Sequence, residues 1–181
     1  MRDQLLGVTQ PMLSFLLDPG ECVIGEASRF AWMTDSIEMA VADETGVCAY
    51  TATGEPGVVA FASQRPGRIL RVEVGPQDGG YLVRRSDIMA RTPGVKVRVD
   101  PAEHGLALWR IGGSGRVWVG LAGDVVRREL TAGQSLRVHP EHIGMFDGTV
   151  AIQITQVYGI SSRDSDYPCA VLSGPGVVWL H

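Results

Sequence analysis

Three stretches of the chain are variations on one phrase: Glu55-Pro-Gly-Val-Val-Ala-Phe61, Gly113-Ser-Gly-Arg-Val-Trp-Val119 and Gly174-Pro-Gly-Val-Val-Trp-Leu180. Their central glycines, Gly57, Gly115 and Gly176, stand 58 and 61 residues apart. A recurrence of that period marks an array of like units, and it limits the fold more than any other feature of the sequence. A unit of about 60 residues buries too little apolar surface to fold alone. The three copies are therefore expected to share one core around a pseudo-threefold axis.

A second set of landmarks keeps the same period. Turns at Asp18-Pro-Gly20-Glu, Gln77-Asp-Gly79-Gly and Thr131-Ala-Gly133-Gln can be superposed without gaps. Phe30, Met89 and Ile143 then fall at one position, and small residues (Ala31, Ala90, Gly144) at the next. Shortly after comes an alternating segment in each copy: Ile37–Val41, Val95–Val99 and Val150–Ile154. Val95, Val97 and Val99 alternate with Lys96, Arg98 and Asp100, the period of a half-buried strand. Leu136 and Val138 flank Arg137 in the same way, and Val125–Leu130 reads as a strand leading to a hairpin. No window carries a capped stripe of 3.6-residue period. The expected fold is all-β, a variant double-stranded β-helix or β-sandwich-like barrel of three pseudo-repeats of about 55–60 residues. One domain over residues 1–181 is expected, with repeats at about 11–54, 55–112 and 113–181. The tandem glycines launch strands, whereas phosphate-cradling loops open helices.

Composition narrows the function. The formal charge is −4, with the cations almost all arginine, Lys96 being the single lysine. This balance argues against a dedicated nucleic-acid binder, which needs clustered cations; DNA is excluded and RNA disfavoured. Cys22, Cys48 and Cys169 are odd in number and widely spaced, so free thiols are expected rather than a disulfide framework or a zinc knuckle. No apolar run nears the ~18 residues of a membrane span, and the N-terminus lacks a basic lead into a long apolar stretch. The expectation is a cytoplasmic protein.

The segments Thr92–Val99 and Gly105–Ile154, followed by Leu172–Leu180, resemble the altered-inheritance-of-mitochondria (mitochondrial biogenesis) family. The resemblance lies in the Gly-x-Gly-x-Val strand, in a hairpin running from Gly123-Asp124-Val125 to Leu136, and in the step Glu141-His-Ile-Gly-Met-Phe146. It implies an all-β fold similar to the tryptophan-RNA-binding attenuation protein class, often assembled into oligomers, and it transfers no catalytic residues. The chain departs from the family pattern at Val41–Cys48, where a glycine-rich loop is usual.

Candidate chemistry is sparse. His139-Pro-Glu141-His142 is the one histidine cluster, with His104 and His181 elsewhere. It gives a cupin-like metal reading with His139, Glu141 and His142 as ligands. Strand ligands should stand two residues apart to share a face, so His139 and His142 meet only if the Pro140 turn intervenes. Asp164 and Asp166 lie in a polar run that reads as a loop rather than an acid–base pair. The pairs Arg84-Arg85 and Arg127-Arg128 offer an RNA- or anion-binding alternative. Trp118 and Trp179 occupy equivalent positions between aliphatics. If Val117 and Val119 face inward, Trp118 faces another sheet or another subunit, and an interface is expected at Trp118 and Trp179. Replacing Trp118 by Ser should then weaken assembly. The leading expectation is a non-enzymatic homo-oligomer that binds or scaffolds, without a cofactor, another protein being a second possible partner.

Overall fold

Short apolar segments punctuated by glycine, proline and aspartate give strands and tight turns, and the computed structural model is built of these. It describes residues 1–43, 46–76, 79–100, 106–157 and 167–181. In chain order the strands begin with β1 (Arg2–Leu6), β2 (Met12–Leu17), β3 (Cys22–Glu26), β4 (Phe30–Met33), β5 (Ile37–Val41) and β6 (Val47–Ala52). Next come β7 (Gly57–Ala62), β8 (Gly67–Val74), β9 (Tyr81–Arg84), β10 (Ile88–Arg91), β11 (Val95–Val99) and β12 (Leu108–Gly113). The last are β13 (Gly115–Ala122), β14 (Val126–Leu130), β15 (Ser135–Val138), β16 (Ile143–Asp147), β17 (Ala151–Val157), β18 (Tyr167–Ser173) and β19 (Gly176–Leu180). The helical elements among the described residues are 3-10 turns at Ala27–Arg29, Arg85–Asp87 and Pro140–His142. The fold is all-β and sandwich-like, and among the described residues no sheet closes into a barrel.

Two compact units divide the chain. The first comprises Met1–Pro76, Ser86–Lys96 and Gly113–Asp124; the second comprises Gln77–Arg85, Val97–Gly112 and Val125–His181. The first unit holds a four-stranded sheet (β1-β2-β7-β4) and a six-stranded one (β5-β6-β3-β10-β13-β8). Both sheets feed one core, in which Leu13, Phe15, Leu17, Val23, Tyr50, Val59, Phe61, Met89 and Trp118 are fully buried. Its aromatic rings pack edge to face, Phe15 on Trp118 at 4.6 Å and Tyr50 on Phe61 at 5.1 Å between centroids, the geometry that ring quadrupoles favour. The second unit holds a six-stranded sheet (β11-β12-β9-β16-β19-β14) and a three-stranded one (β15-β18-β17). Its core gathers Leu82, Leu108, Ile143, Phe146, Leu172 and Val178.

The repeated phrase has a local cause. Gly57, Gly115 and Gly176 each open a strand (β7, β13, β19). Each lies under a corner that precedes the next alternating strand. A Cβ on Gly57 would stand 2.5 Å from Ser36 Oγ and 2.6 Å from Ile37 Cδ1. On Gly176 it would stand 2.7 Å from Val150 Cγ2, and on Gly115 it would run into Thr92 Oγ1. Gly115 and Gly176 also have φ of 135° and 144°, a region side chains avoid.

The corner itself recurs. Backbone turns close from Ile37 N–H to Thr34 O, Val95 N–H to Thr92 O and Val150 N–H to Asp147 O, at 3.0–3.1 Å. The side chain that starts each turn accepts from the amide after the glycine. Val58 N–H donates to Thr34 Oγ1 at 3.0 Å, Arg116 N–H to Thr92 Oγ1 at 2.9 Å and Val177 N–H to Asp147 Oδ2 at 2.7 Å. Thr and Asp fit this position because a short side-chain oxygen reaches a backbone amide that the ladder leaves open.

A bulge is repeated as well. Each 3-10 turn leads into a strand whose pairing slips by one residue, between Phe30 and Trp32, Ile88 and Ala90, and Ile143 and Met145. The equivalent residues are therefore Phe30, Ile88 and Ile143, not Phe30, Met89 and Ile143. Gly79 stands one position late relative to Gly20 and Gly133, which counting without gaps could not reveal. The residues skipped by the bulges are Ala31, Met89 and Gly144, so the small-residue pattern holds in the outer copies alone.

Candidate functional site

The histidine corner belongs to the third repeat. β15 ends at Val138, and Pro140 opens the 3-10 turn, a place where its missing N–H costs nothing. The turn, not a strand, carries the cluster, so the His139 and His142 rings come within 5.9 Å of each other, edge to face. Their hydrogen bonds are local. Glu141 N–H donates to His139 Nδ1 at 3.3 Å, and His142 Nδ1 meets the backbone oxygen of His181 at 2.7 Å. The first bond assigns the His139 proton to Nε2; the second assigns that of His142 to Nδ1. Arg84 fastens the turn from β9, its Nη2 donating to Pro140 O at 2.6 Å. The Tyr167 ring lies 5.2 Å from that of His139. Among the described residues, no three His, Cys, Asp or Glu side chains converge as a metal's donor set would. His104, Asp164 and Asp166 lie outside the described residues.

The matching positions in the first two copies do different work. Arg29 and Asp87, which end the first two 3-10 turns, are both buried in the first unit. Arg29 Nη2 donates to the Ser86 carbonyl, and Arg65 reaches Asp87 Oδ1 at 3.5 Å. Desolvation holds the Arg29 guanidinium below its ordinary pKa, and the charge of Asp87 opposes that shift. Buried charges of this kind are costly unless partnered.

The tryptophans separate. β13 is buried on both faces, with Val117, Trp118 and Val119 all at 0% exposure. Trp118 meets Phe15 across the first unit's core, and its indole N–H donates to Asp3 Oδ2 at 3.2 Å. The sheet expected opposite Trp118 is thus one of its own chain, and Trp118→Ser would report on that core before it reported on assembly. Trp179 is half-buried, edge-on to Tyr81 at 6.1 Å. Trp32, on β4, is 43% exposed. Trp109 lies under the Arg85 guanidinium at 4.7 Å, a cation–π contact. Of the arginine pairs, Arg84 and Arg85 are thus committed to intramolecular contacts. Arg127 and Arg128 are exposed on β14, with Arg127 3.5 Å from Glu129.

Uncovered apolar surface lies along sheet edges. On β5, Met39 and Val41 share a face with Ile37, and they pair across to Tyr50 and Cys48, both buried. The core face of that sheet therefore runs out to an edge where Met39 is 51% and Val41 79% exposed. Val99, Val126 and Tyr167 are exposed in the second unit. A groove of about 250 Å³ near Val8, Pro66, Gly67 and Gly123 is crossed by the Arg68–Asp124 ion pair at 3.0 Å, which occupies its one cation.

These features define an all-β protein of three like units, with Arg29, Arg84 and Arg85 held in contacts within the chain and apolar side chains left on open sheet edges. The chain belongs to the family described as mitochondrial biogenesis AIM24, whose model matches residues 4–181. An X-ray crystal structure of a Streptococcus pyogenes protein superposes with a TM-score of 0.83 at 14% identity, covering 99% of this chain and 92% of that one. At that identity the likeness is one of fold. No curated protein matches the chain. Among the described residues, no helix is long and apolar enough to cross a membrane.

Proposed function

We propose that the protein is a non-enzymatic binding or scaffolding module that works as a homo-oligomer in the cytoplasm. The observation that carries this reading is the apolar surface on open sheet edges, Trp32, Met39 and Val41 above all. Monomeric proteins blunt such edges with charge, proline or a covering loop, because an uncovered edge invites another chain. Glu38 is the only charge on β5, and β4 has none. The commitment of Arg29, Asp87, Arg84 and the histidine corner to intramolecular contacts supports a role without group transfer. The three free thiols, two of them buried, fit a reducing compartment. Light scattering on the untagged protein tests the reading: a particle of several times 19.4 kDa is expected, and a particle of one chain's mass overturns it.

A further inference from the structure

Repeats of one kind pair with their neighbours in one way, and here two such pairings can be compared. β3, which precedes the first 3-10 turn, pairs antiparallel with β10 of the second copy, Gly25 with Ala90 and Ile24 with Arg91. β9, which precedes the second turn, pairs likewise with β16 of the third copy, Val83 with Met145 and Leu82 with Phe146. The register is the same: the residue two before the turn faces the first residue after the next copy's bulge. β15 precedes the third turn and β4 follows the first, and neither makes this pairing among the described residues. Both stand at the ends of their sheets, and among the described residues β4 pairs only with β7 and β15 only with β18. Among the described residues the outer edge of each makes no backbone hydrogen bond.

We propose that β15 of one copy pairs antiparallel with β4 of a second copy, in the register of the two pairings made within the chain. This deepens the oligomer reading above and rests on it. The register places Val138 opposite Trp32, Arg137 opposite Met33 and Leu136 opposite Thr34. It accounts for an indole left 43% exposed on a strand that carries no charge, since Trp32 is the β4 counterpart of Ala90 and Met145, both buried beside their neighbouring copy. Backbone groups of a bare edge find their partners in an added strand. The contact joins two different edges, so copies assemble head to tail, into a ring or a fibre according to the rotation at each step.

Directly opposed residues of an antiparallel pair have Cα atoms roughly 4.5–5.5 Å apart, within the span of a disulfide. Trp32→Cys and Val138→Cys, each in a Cys22→Ser background, are mixed after dissociation, reassembled and oxidised. A covalent dimer joining position 32 to position 138 is expected as the main product. Ser135→Cys in place of Val138→Cys, about 10 Å away along the strand, should give none. An intact oligomer by native mass spectrometry without the 32–138 disulfide overturns this inference and leaves the oligomer reading standing. So does a doubly substituted chain that closes the disulfide within itself. A monomer by the same measurement overturns the oligomer reading, and the strand pairing with it.

Discussion

At the scale of single residues, the repeat is held by a glycine and a hydroxyl or carboxylate. Gly115→Ala would press a methyl into Thr92, whose hydroxyl accepts from Arg116 N–H, at a backbone angle side chains avoid. A loss of about 2 kcal/mol or more is expected in denaturant unfolding; an unchanged midpoint would mean the corner is looser than described. Tyr50 behaves in the opposite sense. Its ring is fully buried between Phe30 and Phe61, and its hydroxyl has no hydrogen-bond partner among the described residues. Tyr50→Phe should therefore leave stability at pH 7 unchanged or raise it by about 1 kcal/mol. Burial, with a smaller contribution from Cys48, pushes the Tyr50 phenol from 10.0 up to about 12. An unfolded chain releases that proton above pH 10, while the folded chain keeps it until about pH 12. This contribution is thus intact below pH 10 and fades as pH rises toward 12, by up to about 2.7 kcal/mol. Urea unfolding at pH 9 and pH 12 should show the wild type losing more than Tyr50→Phe; equal losses would contradict the burial assigned to the phenol.

At the scale of elements, the strands were legible wherever the signal was local. Gly57, Gly115 and Gly176 mark the starts of β7, β13 and β19 because each glycine answers a local steric demand. Ile37–Val41 and Val95–Val99 coincide with β5 and β11, since alternation is a property of the strand itself. The histidine corner was legible as a turn from Pro140. What was not legible depends on distant chain. Trp118 finds Phe15 and Asp3 more than 100 residues away, so burial of both faces of β13 left no trace in its own alternation. The buried Arg29 and Asp87 are neighbours only through the pairing of β3 with β10. The corner acceptors Thr34, Thr92 and Asp147 stand three residues before Ile37, Val95 and Val150, but two threonines and an aspartate share no one residue type that would mark the position. The edge strand β4 makes its own prediction. Trp32→Glu gives up the buried half of the indole, so it should cost the single chain about 1–3 kcal/mol in unfolding and leave it folded. The same change should shift the particle seen by light scattering toward a single chain. Unchanged assembly in this variant would mean that β4 lies outside the contact.

At the scale of the whole molecule, three like units leave two strands, β4 and β15, each at the end of its sheet among the described residues. The proposed scaffolding role draws on such edges, because an open edge makes a partner out of an identical copy. Native mass spectrometry of the untagged protein after gentle buffer exchange is the most direct test, since it reports assembly and bound mass in one spectrum. The account predicts a single oligomer whose mass is an integer multiple of the 19.4 kDa chain, with nothing added. A spectrum of single chains, or one carrying a stoichiometric metal, would contradict it.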